Sequence, residues 1–232
     1  ISKKLEKLKK IHIDNFLEEK KIKKTIIRDI NIKSQVSKKI KSQYEVNPYP
    51  RWTKLPSFNL NSSIINFVYN KKLNLNDYRV LNVKSPSVLI AGCGTGQNAF
   101  NNAQQFKNSN ILGIDLSLSS LAYAIRKSKE LKFSNIHFNH LDILNLTKIN
   151  ANFDIVEVMG VLHHMENPML GLESILNCIK PGGLLKIGLY SKKARENITR
   201  IKKDIAKLNI QADKNSMLSF RNKIKNLKIN HY

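Results

Sequence analysis

Cysteine is scarce: Cys93 and Cys178 are the two thiols in 232 residues, one beside a glycine-rich stretch and one in an apolar, helix-like pattern. Two cysteines so placed argue against a disulfide framework or a cysteine-bound metal, and fit a reducing compartment. Long apolar runs are missing too. None approaches the roughly 18 residues of a membrane-spanning helix, and the Lys-rich start lacks the apolar core of a signal peptide. We read a soluble cytoplasmic chain with no membrane partner. It starts at Ile1, not Met, and stops soon after a helix-like stretch, so we expect a fragment.

Acidic residues are also few, 17 against 40 Lys and Arg, for a net charge of +23. Charge of this size invites a nucleic-acid partner, but a polyanion site requires basic groups focused in space. Residues 1–41 and 191–232 each carry +9, whereas the longer middle, 42–190, carries +5. The excess accompanies heavy use of Asn and Ile, which share AT-rich codons with Lys. Genome base composition explains it better, and nucleic acid is the less favoured partner.

What the chain does have is the stretch Val88-Leu89-Ile90-Ala91-Gly92-Cys93-Gly94-Thr95-Gly96-Gln97. An apolar run suited to a buried parallel strand leads into three glycines at alternate positions and then a helical pattern. Glycine tolerates positive φ and has no Cβ, so such a turn brings backbone amides close to a nucleotide-like ligand. Strand, turn and helix resemble motif I of the class I S-adenosylmethionine (SAM) dependent methyltransferases. The G-x-G-x-G spacing differs from the G-x-G-x-x-G of dinucleotide binders. Ile90 stands where most members of the family have an acidic residue.

Further motifs follow in the family's order. Asn110-Ile111-Leu112-Gly113-Ile114-Asp115 reads as a second strand ending in a carboxylate, about 20 residues past the turn and so placed to accept the ribose hydroxyls. Ser117 is expected to cap a helix over Leu118–Leu131, leaving Asp115 for ligand. A third strand, Asn135–Ile143, brings Asp142 and Ile143, which the resemblance assigns to the adenine; a solvated turn carboxylate is the alternative for Asp142. Phe153-Asp154-Ile155-Val156-Glu157-Val158-Met159, then Val161-Leu162-His163-His164, resembles motif IV. Lys180-Pro181-Gly182-Gly183 reads as a turn that feeds strand five, through Gly188 to Tyr190 at its end, after a helix over Leu170–Ile179.

The expected fold is therefore α/β, a Rossmann-like methyltransferase sheet with helices on both faces and a helical N-terminal extension. The last, antiparallel strands are not found before the end of the chain. We divide it into a Lys-rich helical extension (1–42, with Leu5, Ile22 and Ile30 among its apolar positions), a cap or lid (43–87, with a short helix from Ile64 to Leu75), the SAM-binding core (88–190) and a helical C-terminal segment (191–232). Gln43-Tyr44-Glu45-Val46-Asn47-Pro48-Tyr49-Pro50-Arg51-Trp52 resembles a segment found in a bacterial methyltransferase subgroup often fused to tetratricopeptide repeats, so a preceding repeat domain is an expected partner. Tyr44, Tyr49, Arg51 and Trp52 either close the active site or pack a rigid linker on the core.

By resemblance the cofactor is SAM, held by Ala91, Gly92, Cys93, Gly94, Gly96, Asp115, Leu116, Asp142, Ile143 and Met159, with an unidentified methyl acceptor. Glu157, a carboxylate in an apolar strand, is costly to bury unless paired or used. It joins His163, His164 and Tyr190 as a candidate to assist proton removal. Helical neighbours point about 100° apart, so the two histidines are expected to diverge, and no third ligand for a metal has fitting spacing. A nicotinamide oxidoreductase, a decarboxylated-SAM transferase and a non-catalytic module that binds nucleic acid through the basic flanks are the other readings.

Overall fold

Five parallel strands in the order β3-β2-β1-β4-β5 form the centre of the protein. The computed structural model describes residues 2–27, 32, 34–56 and 62–226; Ile30 lies outside them. The strands are β1 (Ser87–Ala91), β2 (Asn110–Asp115), β3 (Ile136–His140), β4 (Phe153–Met159) and β5 (Ile179–Gly188). In β1 successive side chains leave opposite faces, as the pleat requires. Val88 and Ile90 join one buried cluster with Ile111, Ile136 and Ile155, and Leu89 and Ala91 join the other with Ile114, Val156 and Val158.

Helices cover both faces. Before the sheet come α1 (Lys3–Lys9), a π-turn over Lys10–Asp14, α2 (Asn15–Thr25), α3 (Gln35–Val46) and α4 (Ile64–Asn70). Within it come α5 (Gln97–Gln105), α6 (Leu118–Leu131) and α7 (Pro168–Leu176). The first cluster takes Ile64 and Val68 from α4, Phe100 from α5, Leu121 and Tyr123 from α6, and Trp52. The second takes Leu162, Ile175 and Leu146, the last from a 3-10 segment over Ile143–Ile149. Full burial of a side chain such as Phe100 stabilises the fold by about 1.5–3 kcal/mol.

Ile1–Gly188 form one compact unit and Leu189–Tyr232 a second. The second holds α8 (Glu196–Lys207) and α9 (Lys214–Asn226). Isoleucines 198, 201 and 205 recur on α8 at helical spacing, yet no α8 residue is buried.

Several boundaries differ from the sequence reading. The helix from Ile64 stops at Asn70, where Lys72 takes a positive φ of 51° and Leu73 N–H returns to the Val68 carbonyl. The third strand ends at His140 and not Ile143. Helix α7 begins at Pro168, capped by the Asn167 side chain, and ends at Leu176, so Ile179 already belongs to β5. The Lys180-Pro181-Gly182-Gly183 stretch lies inside that strand, with Gly182 at φ 78° and a register shift against Phe153–Ile155. Pro is tolerated there because β5 is an edge strand among the described residues. The strand stops at Gly188, two residues short of Tyr190.

Candidate functional site

Strand β1 has β2 on one side and β4 on the other, with Ile90 paired to Gly113 and to Glu157. The chain therefore switches direction across the sheet between β3 and β4, and in sheets wound this way the ligand crevice opens beyond the C-terminal strand ends at that switch. The predicted glycine turn sits there. Gly92 and Gly94 have φ of 71° and 53°. A Cβ on Gly92 would lie 2.4 Å from Val161 Cγ2, and one on Gly94 would lie 3.2 Å from the Tyr49 carbonyl oxygen. Both positions need glycine for conformation and for space.

Asp115 closes β2 and is wired into the turn. The Gly94 amide donates to its Oδ2 at 2.8 Å and the Ser117 amide to its Oδ1 at 2.8 Å. Burial raises the Asp115 pKa, the surrounding amides oppose the rise, and the Glu45 carboxylate adds to it. Cys93 lies beside it in the turn, buried, its thiol pKa raised well above the ordinary value by burial and by the Asp115 charge. Ser117 caps α6 through Ser120 N–H at 3.1 Å, as the sequence reading expects. Ala91 is fully buried at the end of β1 and Leu116 follows Asp115, its carbonyl 3.0 Å from His140 Nε2. Asp142 is buried; its Oδ1 accepts from Leu144 N–H at 3.0 Å, which caps the segment that Ile143 begins.

On the far side of β1, Met159 ends β4 and lies against Gly188, where a Cβ would meet its Cε at 2.5 Å. Gly160 follows with φ 72° and donates to the Gly188 carbonyl at 2.9 Å. Val161 then packs onto Gly92, and His163 and His164 complete a 3-10 turn over Leu162–His164. The two rings do not diverge as expected: their Nε2 atoms are 3.1 Å apart and the ring centroids 4.2 Å apart. Neighbours on a 3-10 turn start about 120° apart, so it is the rotation of the two side chains, and not the turn, that brings the rings together. No group of three or more His, Cys, Asp or Glu able to hold a metal is found among the described residues.

Two further candidates have partners of their own. Glu157 is 3% exposed and its Oε2 accepts from Asn102 Nδ2 at 3.0 Å and Lys186 Nζ at 3.2 Å, so this buried carboxylate is paired. Tyr190 lies beyond β5, half exposed, with the Arg195 guanidinium 3.7 Å from its ring centroid.

The Asn47–Trp52 segment crosses the glycine turn. Thr95 Oγ1 donates to the Pro50 carbonyl at 2.5 Å, and Trp52 Nε1 donates to the Thr95 carbonyl at 3.1 Å. Trp52 is buried, edge-on to Phe100 and Tyr123, and the Tyr123 hydroxyl donates to its carbonyl. Arg51 makes two bonds to Glu19, at 3.1 and 2.9 Å, while Arg126 Nε reaches the same carboxylate at 2.9 Å. Arg51 and Trp52 thus anchor the segment to the core, and Tyr49 presents its carbonyl to the turn with its ring exposed.

Sequence reasoning missed Glu45, Thr95 and Glu19. Glu45 was visible inside the unusual decapeptide, but its partners Ser117, Ser119 and Lys23 are distant in the chain.

Comparison with known proteins agrees with this architecture. A family described as a methyltransferase domain matches residues 82–227. The chain is 34% identical over 124 residues to an uncharacterized protein of Synechococcus sp., covering 53% of this chain and 30% of that one. It is 29% identical over 133 residues to a tRNA U34 carboxymethyltransferase of Campylobacter fetus subsp. fetus, covering 57% and 46%. The chain thus spans less than half the length of these curated relatives. PKMT2 from Rickettsia typhi, solved in complex with AdoHcy, shares the fold with a TM-score of 0.52 and 20% identity over 76% of this chain and 36% of that one. Glycine turn, strand order and the match over residues 82–227 agree: the chain belongs to the methyltransferase domain family.

Proposed function

We propose that this domain binds S-adenosylmethionine across the ends of β1, β2 and β3 and catalyses in-line transfer of its methyl group to an acceptor nucleophile. Asp115 carries the reading. Its oxygens take the Gly94 and Ser117 amides, and the Leu116 amide also bonds the carboxylate, which still leaves acceptor capacity among its roughly four lone-pair sites for a ribose hydroxyl. The glycine turn beside it borders the cofactor's path, with Ala91, Gly92, Cys93, Gly94 and Gly96 along it and Leu116 next to the ribose. Asp142 fits the adenine amino group, because its second oxygen has no partner among the described residues, and Ile143 adjoins the ring.

A sulfonium is a good leaving group, so the cofactor supplies an activated methyl and the protein chiefly aligns the acceptor and excludes water. Met159 and Val161 supply apolar surface for that at the end of β4. His163 and His164, whose Nε2 atoms lie 3.1 Å apart, are the candidates to take the proton of an N–H or O–H acceptor. Glu157 acts through its pairing with Asn102 and Lys186 and not on the acceptor. The NPYPRW stretch supports membership of the subgroup fused to tetratricopeptide repeats, with such a domain as partner. Two free buried thiols suit the cytoplasm.

Isothermal titration with SAM, S-adenosylhomocysteine and, as control, NAD tests this. Saturable binding of the first two alone is expected, with Asp115→Ala weakening it roughly 10- to 100-fold through loss of charged hydrogen bonds. Unchanged affinity in Asp115→Ala, or binding of NAD instead, would overturn the reading.

A further inference from the structure

Helix α3 touches the turns that follow two different strands. At its start the Ser34 hydroxyl donates to Glu166 Oε2 at 2.7 Å, just past the histidine turn that follows β4. At its end Glu45 and Tyr44 reach the turn that follows β2. Glu45 Oε2 accepts from Ser119 N–H at 3.2 Å, and Glu45 Oε2 and the Tyr44 carbonyl each lie 3.1 Å from Ser117 Oγ and share its single proton. Lys23 Nζ sits 2.5 Å from the other Glu45 oxygen and 2.9 Å from Ser119 Oγ. Four residues later Tyr49 and Pro50 lie over Gly94 and Thr95.

The amide of Ser117 holds Asp115 Oδ1, and its hydroxyl caps α6. Whatever fixes Ser117 fixes the direction of the Asp115 carboxylate. We propose that Glu45 is a positioning residue for the cofactor site: it clamps the Ser117–Ser119 turn and so holds Asp115 in the orientation that receives the ribose. This inference rests on the assignment of Asp115 to the cofactor. The geometry gives Glu45 a second effect, since the same clamp keeps Tyr49 and Pro50 seated on the glycine turn, and one bond network aligns both walls of the adenosyl pocket. A positioning group needs only its hydrogen bonds. The glutamine side chain keeps an oxygen that can accept from Ser117 and Ser119, whereas alanine has none.

The test compares wild type, Glu45→Ala, Glu45→Gln and Lys23→Met by titration with S-adenosylhomocysteine, with amide hydrogen exchange on the unliganded chain. Glu45→Ala should weaken binding on the order of tenfold and speed exchange at residues 115–120, because supporting hydrogen bonds fix the site's geometry. Glu45→Gln should recover most of the affinity. Lys23→Met should lower thermal stability without a comparable affinity loss, which separates the clamp from the ion pair. Equal losses in Glu45→Ala and Glu45→Gln, or affinity unchanged in Glu45→Ala, would overturn the inference while wild-type binding left the cofactor assignment standing. A folded wild type that binds no S-adenosylhomocysteine removes both.

Discussion

The two basic flanks carry the same net charge of +9, yet their helices differ in burial. Residues of the first flank reach the core. Glu19 of α2 is buried between Arg51 and Arg126, and Ile22 is buried with it. In the second, α8 buries no residue and its ion pair, Glu196 with Arg200, is exposed at both ends. Net charge describes both equally. Glu19 is tolerated as a buried carboxylate because basic groups from elsewhere in the chain converge on it and hydrogen-bond it.

The largest effect is expected where the first flank leads into the core. Trp52→Ala removes an indole that contacts Phe100 and Tyr123 and donates to Thr95, so chemical denaturation should show a loss of about 3–5 kcal/mol. A loss below 1 kcal/mol would mean the segment is not an integral part of the fold. Next comes Glu19→Ala, which removes one of the two carboxylates that hold the 4%-exposed Arg126 side chain and leaves Glu130 at 2.7 Å, and should cost about 1.5–3 kcal/mol. Glu196→Ala, its counterpart in the other flank, should change stability by no more than about 0.5 kcal/mol. Similar values for the two would erase the distinction.

Acid gives the smallest contrast. Burial opposes the charged form of Glu45, but Lys23, Ser119 and Ser117 outweigh it, so its pKa lies below the ordinary value of 4.5. A depressed carboxylate contributes stability above its unfolded pKa, and that contribution fades as pH falls through the folded one. Protection from hydrogen exchange at α3 and at residues 115–120, relative to the intrinsic rate at each pH, should therefore fall below about pH 4.5, less so in Glu45→Gln. Protection that falls equally in both proteins would break the link.

The parts of the site legible in sequence were those written within a few residues. A strand, a glycine turn and a carboxylate at the next strand's end are local patterns, as is Ser117 three residues before the amide it caps. The K-P-G-G stretch misled because the composition of a turn also suits an irregular edge strand, and only pairing with β4 distinguishes them. The histidine pair misled because backbone periodicity sets only where a side chain starts, while its own rotation decides where the ring ends. Glu19 with Arg126, and Glu45 with Ser117, join residues 107 and 72 apart, a distance across which no periodicity signals contact.

Trp52 is the single tryptophan of the chain, and its indole N–H is bound to a carbonyl of the glycine turn itself. The protein therefore carries an intrinsic optical probe one hydrogen bond from the proposed cofactor site, against an otherwise tryptophan-free background. Ligand binding, release of the proline segment and global unfolding can each be followed through one emission band, with no label attached.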